Sequence, residues 1–405
     1  MNHTYDVIIT GARAAGASLA VLLGKMGKRV LLIDKAAFPS DTLSTHFMSH
    51  TRFLEELGIL HKLEETGLRK VSRMRTYIGQ SFMEGPRADY TIIPKRDVLD
   101  PLLIEQAEGL NSVTFMPRTS ARGLIREDGR VTGLHLETEG KTWEAYAAWV
   151  AGADGKHSNI AAWTGAEKYR ETKPLRPVLY GYYTGVEPLS EPVTEIFLHE
   201  GRIGFVFPME ENRNCLGIEI HPGEFADMMK APQETFEQTF NQFYGMKKRM
   251  EGAVLQGKII GTPGMPNFFR NAYGEGWVLL GDAGHSKDPS TGLGINDAFL
   301  QSFLLADAFQ QMDEGVDWET SLDRFQSRRD EQLLPGFQLT LDYIQSLRKW
   351  TDNEMALFQT IAANPMAWNK LMPHMGRHLK EDTKDFPLFY QSVEGEASSF
   401  GFRKD

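Results

Sequence analysis

Cysteine is almost absent from this sequence: one residue, Cys215, occurs among 405. An internal disulfide bond is therefore excluded, and the chain has no set of cysteines that could hold a metal ion. So little cysteine fits a protein that works in the reducing cytoplasm. We expect no metal centre.

Long apolar runs and clusters of basic residues are also missing. No uninterrupted apolar segment reaches the roughly 18 residues needed to cross a bilayer, and a strand predicted to begin by Tyr5 leaves no room for a signal peptide. The formal net charge is −10, whereas nucleic-acid binding needs a clustered positive surface. We therefore expect a cytoplasmic protein with no stable membrane insertion and no nucleic-acid partner.

The chain begins with a pattern typical of a β-α-β unit. In VIITGARAAGASLAVLLGKMGKRVLLIDK, an apolar strand is followed by a turn, a helix to about Met26 and a second buried strand that ends at Asp34. The turn nearly matches the dinucleotide fingerprint G-x-G-x-x-G, with Arg13 at the position of the second glycine. Gly11 permits the tight turn, and Gly16 lets the helix pack against the strand.

A nucleotide would lie at the start of this first helix. Free N–H groups and the helix dipole favour a pyrophosphate there, and Asp34 is placed to accept hydrogen bonds from ribose hydroxyls. The same carboxylate repels a 2′-phosphate. The segment therefore predicts a dinucleotide site in which NADP is a poor occupant.

Two later segments carry related features. WVAGADGKHSNIAAWTG is a buried strand that leads into Asp154, and Ser158 could cap the helix that follows. GWVLLGDAGHSKDPSTGLGINDAF is a buried strand that ends at Gly281-Asp282, followed by a glycine-rich loop and a helix to about Ala308. A second anion-stabilising helix start, nearly 280 residues after the first, indicates one long ligand that contacts both.

Between these segments the pattern is mostly that of β-strands. Residues 113–150 predict a β-meander with Asp-Gly and Glu-Gly hairpin turns. Strands rich in aromatic residues follow from 175 to 260, and the tail from about 318 is helical. We interpret the region from 175 to 260 as an inserted sheet domain.

In this order and spacing, the three segments resemble those of the FAD-dependent aromatic hydroxylases, the single-component (group A) flavoprotein monooxygenases. That family shares a glutathione-reductase-like FAD fold with geranylgeranyl reductases and flavin halogenases. The resemblance covers about residues 5–175 and 262–310. It implies an α/β fold with a Rossmann FAD-binding domain, an inserted, mainly antiparallel β-sheet substrate domain and a C-terminal helical region. The expected ranges are 1–75, 96–175 and 262–317 for the FAD-binding domain, 76–95 and 176–261 for the substrate domain, and 318–405 for the helical region.

The resemblance also assigns residues to the cofactor. It implies that the first segment holds the ADP part of FAD, that Asp154 lies near the pyrophosphate and the nicotinamide path, and that Asp282 contacts the ribityl chain and pyrophosphate. Arg96, which opens the helix after the third strand, also meets FAD in the family. The implied cofactor-binding residues are Gly11, Ala12, Arg13, Ala14, Ala15, Gly16, Asp34, Lys35, Arg96, Asp154, Gly281, Asp282, Pro289, Gly292, Leu293, Gly294, Ile295 and Asn296.

In the family, the flavin carries the reaction and the protein orients it. The resemblance implies that NAD(P)H reduces the flavin and that O2 adds to give a C4a-hydroperoxide. This species then transfers an oxygen atom to a small apolar or aromatic substrate. We therefore expect a monooxygenase with FAD as its cofactor and NAD(P)H as a transient reductant.

Other members of the superfamily supply the alternatives. GRIGFVFPMEENRNCLG resembles the pocket strand of geranylgeranyl reductases, so an ene-reductase is the second candidate enzyme. A halogenase is less favoured, because its tryptophan-containing signature and pocket lysine pattern are not visible. Dissociation-inhibitor proteins share the fold as non-enzymatic binding modules, but Asp282 and Arg96 argue against that class, since a carrier has no use for ribityl contacts.

The substrate side of the site is predicted from the loop that contains His46 and from the alternation of side chains along two strands. His46 lies in the loop that runs beside the flavin in relatives, where it either contacts the flavin or handles a proton, or else is hydrogen-bonded into its loop. Side chains on one face of the inserted sheet are expected to cover the flavin and line an apolar pocket, or else to form plain sheet core. These residues are Tyr180, Tyr182, Phe205, Phe207 and Met209.

The sequence departs from the family at two functional positions. Ala161 stands where relatives usually have an arginine, which leaves the mode of nicotinamide binding open. Arg13 replaces a glycine, and we predict that its guanidinium lies over the bound FAD and supplies charge to the phosphates or to a flavin edge. The alternative is that Arg13 points to solvent or pairs with a nearby acid.

Overall fold

The computed structural model describes residues 4–40, 42, 44–49 and 51–370. Its strands are β1 (Tyr5–Thr10), β2 (Val30–Ile33), β3 (Val71–Ile78), β4 (Ser81–Thr91), β5 (Val113–Met116), β6 (Thr119–Glu127), β7 (Arg130–Thr138), β8 (Lys141–Gly152), β9 (Lys168–Thr172), β10 (Val178–Thr184), β11 (Thr194–His199), β12 (Arg202–Pro208), β13 (Asn214–Glu219), β14 (Val254–Thr262), β15 (Asn267–Arg270), β16 (Tyr273–Gly274), β17 (Trp277–Leu279) and β18 (His285–Ser286). Its helices are α1 (Ala14–Lys25), α2 (Arg52–Leu57), α3 (Leu60–Glu65), α4 (Arg96–Glu108), α5 (Asn159–Thr164), α6 (Phe225–Met228), α7 (Pro232–Phe240), α8 (Met246–Arg249), α9 (Gly294–Asp313), α10 (Trp318–Ser346) and α11 (Asp352–Ala362). Short 3-10 helices occupy Pro222–Glu224, Gly281–Ala283 and Pro289–Thr291.

The first strand lies at the centre of a parallel sheet. β1 pairs in parallel with β2 and β8, β5 extends the sheet beyond β2, and β17 extends it beyond β8. Alternate side chains of β1 face opposite layers: Val7 and Ile9 pack under α1, α4 and α9, whereas Ile8 packs under β6 and β7. Because both faces are covered, β2 (VLLI) and the centre of β1 (residues 7–9) are wholly apolar, as in other Rossmann-type domains. The predicted α/β class is confirmed.

The predicted meander is present as β6, β7 and β8, which pair antiparallel in that order. Asp128 and Gly129 have φ values of 49° and 90°, and Glu139 and Gly140 have 51° and 77°. Positive φ at both central residues matches the right-handed twist of a two-residue hairpin. The hairpins predicted from these two dipeptides are therefore confirmed.

A second sheet of seven strands carries the aromatic-rich segment. Its order is β14-β10-β13-β12-β11-β3-β4, antiparallel except where β3 runs parallel to β11. One face packs against α7, and the other faces the loop that contains His46. The expected domain boundary after residue 75 falls inside β3, so this sheet also takes in residues 71–75.

A third, smaller sheet and a helical tail accompany the two larger sheets. β9, β15 and β18 form a three-stranded antiparallel sheet. Farther along the chain, Trp368 Nε1 donates a hydrogen bond to the carbonyl oxygen of Pro86 at 3.1 Å, which ties the tail to β4. Residues 371–405 of the predicted helical region lie outside the described residues. Across the described ranges, no helix combines the length and apolarity needed to cross a bilayer.

Candidate functional site

A cavity of about 740 Å³ opens where β1, β2 and β8 end and where α1 and α9 begin. Ligand sites of open α/β sheets lie at this edge. Four predicted cofactor residues, Ala12, Gly16, Leu293 and Asn296, do not line the cavity. The predicted residues that do line it are Gly11, Arg13, Ala14, Ala15, Asp34, Lys35, Arg96, Asp154, Gly281, Asp282, Pro289, Gly292, Gly294 and Ile295.

The GARAAG turn brings the start of α1 to the cavity. Gly11 has φ +95°, and a Cβ at this position would overlap the carbonyl oxygen of Ala153. A Cβ at Gly16 would overlap the carbonyl oxygen of Gly11. The predicted steric need for both glycines is confirmed, while cofactor binding at this turn stays a prediction.

Asp34 connects the end of β2 to this turn. Its Oδ2 accepts a hydrogen bond from the backbone N–H of Ala12 at 2.8 Å, and its Oδ1 accepts one from Ala36 at 2.7 Å. Each oxygen can accept a further hydrogen bond, and Asp34 lines the cavity. The carboxylate can therefore fix the turn and still accept hydrogen bonds from ribose hydroxyls.

Arg13 and Arg96 share one buried carboxylate. Arg13 Nη1 lies 2.8 Å from Asp100 Oδ2, and Arg96 Nε and Nη2 lie 3.0 Å and 2.8 Å from Asp100 Oδ1. The Asp100 side chain has no exposed surface. Two cations that share one anion leave a net positive charge beside the cavity, which suits a pyrophosphate.

The Arg13 guanidinium is further held by Ser40 and lies 5.4 Å from the centre of the Phe38 ring. Pairing with a nearby acid is the alternative considered for this residue, and Asp100 supplies it. Arg13 nevertheless lines the cavity. Its contact with FAD phosphates stays a prediction, now with an ion pair that fixes where the guanidinium lies.

Asp154 organises the start of α5 at the cavity wall. Its carboxylate accepts hydrogen bonds from Ser158 Oγ at 2.5 Å and from the N–H of Asn159 at 2.8 Å, and burial raises its pKa. Ser158 Oγ accepts from the N–H of Ala161 at 3.0 Å, so the predicted cap is confirmed. Asp154 thus holds the start of α5 in place and also lines the cavity.

Cations around this wall were not predicted from the sequence. Lys156 lines the cavity, with its Nζ 2.9 Å from Met265 Sδ. Burial lowers the pKa of Lys156, and the nearby Asp282 opposes that shift. Lys287, another lining residue, pairs with Asp297 in the first turn of α9. Lys156 meets Asp282 and Met265 only after separate segments come together, whereas Lys287 lies ten residues before its partner Asp297 in the third segment.

The third segment and the helix that continues from it supply buried polar atoms that have no hydrogen-bond partner among the described residues. Gly281 has φ +59°, which lets the chain turn sharply before Asp282, and burial raises the pKa of Asp282. Buried polar atoms in native proteins are normally hydrogen-bonded. FAD carries ribityl hydroxyls and flavin N–H and C=O groups that can supply such bonds, so the residues fit this cofactor. Three of these atoms, His285 Nε2, Asp288 Oδ2 and Gln301 Oε1, belong to residues that line the cavity, whereas Ser290 Oγ and Asn296 Oδ1 belong to residues that do not.

His46 is fully buried and does not line the cavity. Its Nδ1 lies 3.2 Å from the carbonyl oxygen of Pro94, and its Nε2 lies 2.7 Å from Tyr182 Oη. Burial and the nearby Arg96 lower its pKa to about 3. A neutral ring therefore donates from Nδ1 and accepts at Nε2. This geometry favours the interpretation in which His46 is hydrogen-bonded into its loop, and a catalytic role stays a prediction.

The five predicted pocket residues form one buried apolar cluster. Tyr180, Tyr182, Phe205, Phe207 and Met209 pack together with Phe47 on the side of the sheet that faces the His46 loop. Phe205 and Phe207 stack with centroids 4.6 Å apart. None of the five lines the cavity. The shared face is confirmed, and its role as a substrate pocket stays a prediction.

The fold and the cavity are those of a Rossmann-type dinucleotide-binding protein, and two helix starts, those of α1 and α9, meet at the cavity. The chain belongs to the FAD binding domain family, whose model matches residues 4–333. It is an FAD-dependent oxidoreductase.

Relatives of several activities share this framework. The chain is 24% identical to digeranylgeranylglycerophospholipid reductase 1 of Methanopyrus kandleri over 371 residues, which cover 89% of this chain and 95% of the relative. The flavin-dependent brominase Bmp2 superposes with a TM-score of 0.78 at 18% identity, covering 98% of this chain and 99% of the brominase. PqsL of P. aeruginosa, solved in complex with 2-aminobenzoylacetate, superposes with a TM-score of 0.73 at 21% identity, covering 92% and 100%. The two structural likenesses establish the fold.

Proposed function

We propose that this protein is an FAD-dependent monooxygenase that uses NAD(P)H and O2 to oxygenate a small apolar or aromatic substrate. Aromatic side chains packed on the glycine-rich loop before α9, here called the flavin loop, carry the proposal. A Cβ on Gly292 would lie 2.9 Å from the Phe47 ring, so this ring packs directly on the loop. Phe207 lies in the seven-stranded sheet, here called the substrate sheet, and packs on Phe47 with ring centroids 5.4 Å apart. A dry apolar cover of this kind protects oxygen chemistry from water.

Each part of the cavity has a task in this function. FAD, when bound, supplies the electron transfer and the activation of oxygen. Arg13 and Arg96 offer positive charge to its diphosphate, and Asp34 offers acceptors to its ribose. The start of α9, at Gly294 and Ile295, directs N–H groups and a positive dipole end into the cavity, where they stabilise negative charge.

An ene-reductase is the second candidate function. The match to the M. kandleri reductase extends over 89% of this chain and therefore includes the substrate sheet as well as the FAD-binding part. PqsL, classed as a monooxygenase, also matches across both parts of the chain. The brominase offers a third outcome, since halogenation also begins from a reduced flavin and oxygen. These three activities leave different products.

The experiment compares those products directly. The FAD-loaded protein is incubated with NADH or NADPH, bromide, isotopically labelled O2 and a panel of small aromatic compounds and isoprenoid alkenes. We expect substrate-stimulated NAD(P)H oxidation and one labelled oxygen atom in the product, as detected by mass spectrometry. Free FAD at the same concentration is the control. A brominated product, or an alkene reduced without oxygen, would show that the protein belongs to another activity class.

A further inference from the structure

One carboxyl group at the start of the flavin loop is not among the predicted cofactor residues. Asp288, immediately before Pro289, is 1% exposed and lines the cavity. Its N–H donates a hydrogen bond to Asn267 Oδ1 at 2.7 Å, and its Oδ1 accepts one from the N–H of Ser290 at 3.1 Å. Its Oδ2 is buried and has no hydrogen-bond partner among the described residues.

A second buried carboxyl group comes from the substrate sheet. Glu219 ends β13, is 2% exposed, and has an Oε2 that also lacks a hydrogen-bond partner among the described residues. Burial and then the charge of Asp288 raise the pKa of Glu219. Two charges influence each other in this way only when they are close. The two carboxyl groups are therefore neighbours, and of the two only Asp288 lines the cavity.

Arg176 is the cation of this cluster. It lies two residues before Val178, whose register partner in β13 is Glu219. Arg176 Nη1 donates to the carbonyl oxygen of Leu347 at 2.9 Å and Nη2 donates to that of Gly201, whereas Nε has no acceptor among the described residues. Burial raises the pKa of both carboxyl groups, and the charge of Arg176 only partly opposes this effect.

The other titratable groups around the cluster leave its charge balance unchanged. Burial, followed by the charge of Glu219, raises the pKa of Tyr343 on α10, so this phenol is neutral. Glu224 adds to the field at Arg176 but is itself paired with Arg202 at 2.6 Å. The cluster therefore consists of one cation and two carboxyl groups.

Two ionised carboxylates beside one guanidinium would leave a net negative charge in a buried place. An uncompensated buried charge is unfavourable, and neighbouring buried carboxyl groups avoid it by keeping a proton. One proton would make this cluster neutral. It would also supply an O–H donor for the two oxygen atoms that have no partner, Glu219 Oε2 and Asp288 Oδ2.

We propose that Asp288 and Glu219 hold one proton between them at neutral pH and that Asp288 delivers this proton to the reaction in the cavity. Asp288 is the member of the pair that lines the cavity, and Glu219 is a positioning residue that keeps the proton on the pair. The inference rests on the proposed function, because oxygen transfer consumes one proton for each product.

The balance of oxygen transfer defines the step. NAD(P)H, as a hydride, and the substrate each lose two electrons, and O2 gains all four. One oxygen atom enters the product and the other leaves as water, whose formation requires a proton besides the hydride. An O–H bond of the carboxyl pair breaks as an O–H bond of water forms. The pair then regains its proton from solution.

Infrared spectroscopy of the oxidised, FAD-loaded protein tests the shared proton without any turnover. A protonated carboxyl group has a C=O stretching band that an ionised carboxylate lacks. We expect the spectrum of the parent at pH 7, minus that of Glu219→Gln, to contain this band. Asp288→Asn removes the neighbouring negative charge, so it should lose the same band at a pH about one unit or more below that of the parent.

The pH profile of substrate-stimulated NAD(P)H oxidation tests delivery of the proton. The parent's rate should fall as rising pH removes the proton from the pair. In Glu219→Gln, Asp288 has no second carboxylate beside it and titrates at lower pH, so the fall should begin about one pH unit lower. A merely structural role for Glu219 would lower the rate without moving the profile.

Glu84→Gln is the matched control, because Glu84 in the same sheet is paired with Arg73 at 2.7 Å and Arg75 at 2.5 Å. It should keep the parent's band and pH profile. A difference spectrum without the band, or a profile that does not move in Glu219→Gln, would overturn the inference. If Glu219→Gln does not fold, loss of the band at the same pH in Asp288→Asn and the parent would overturn it. The infrared result does not depend on oxygen transfer, so failure of the proposed function is distinguished from absence of the shared proton.

Discussion

At the residue scale, the charge beside the cavity depends on three side chains from two helix starts. Asp100 accepts from both Arg13 and Arg96, so it holds two guanidinium groups at one place on the cavity wall. The sequence predicts Arg13 and Arg96 as separate cofactor contacts. Asp100 could not be predicted, because it lies 87 residues from Arg13 and meets it only after α1 and α4 pack together.

Replacing Arg13 by alanine should weaken FAD binding. The remaining Arg96–Asp100 pair has no net charge, so the variant loses the positive charge that faces the diphosphate. We expect the Kd for FAD to rise about 5- to 50-fold, as measured by titration of the apo-protein. Arg29→Ala, which removes an exposed arginine paired with Asp6, serves as the control and should bind like the parent. An unchanged Kd in Arg13→Ala would show that the residue is structural.

His46 gives the protein a predictable sensitivity to acid. Its pKa of about 3 in the folded chain lies below the usual value near 6.5. Between these values the unfolded chain binds a proton that the folded chain cannot, so the free energy of unfolding falls as pH falls. Between about pH 6.5 and pH 4.5, the free energy of unfolding of His46→Gln should fall by about 2 kcal/mol less than that of the parent.

Urea unfolding of both proteins at several pH values measures this difference. His285 is also buried and has a lowered pKa, so it contributes an acid-dependent loss to parent and variant alike. Parallel pH profiles for the two proteins would contradict the assignment of a neutral, buried His46.

At the element scale, the GARAAG turn tolerates little change, because backbone atoms enclose both of its glycines. Gly16→Ala would place its Cβ 1.8 Å from the carbonyl oxygen of Gly11, a backbone atom that cannot swing aside as the end of a flexible side chain can. We expect a loss of about 2–4 kcal/mol in the free energy of unfolding and little bound FAD after purification.

Gly223→Ala is the matched control, since a Cβ at this position meets nothing within 4 Å. Thermal unfolding and the ratio of flavin to protein should distinguish the two variants clearly. A Gly16→Ala protein that keeps the parent's Tm and flavin content would show that the steric account of the turn is wrong.

Elements were predictable from the sequence where local pattern and packing agree. The first helix and the meander follow from apolar period and turn residues. The segment after residue 50 reads as one helical run, yet it forms α2 and α3, because Gly58 takes φ +84° and ends the first of them. Alternation in β10 and β12 predicts a shared face, but the pattern cannot show that Tyr182 meets His46 across it.

At the scale of the whole molecule, segments near both ends of the described chain build one site. α1 and α9 pack together, and Ser18 Oγ and Ser302 Oγ lie 2.8 Å apart between them. Three ordered segments predict this FAD-binding framework, because each has a turn with a specific requirement.

Flavin binding tests the central claim, that one FAD spans the GARAAG turn and the loop before α9, most directly. Apo-protein is titrated with FAD and with FMN, which lacks the adenylate part that the turn and Asp34 are placed to hold. The account predicts one FAD per chain and binding of FMN at least about 100-fold weaker. Equal affinity for FMN and FAD, or no binding of either flavin, would contradict it.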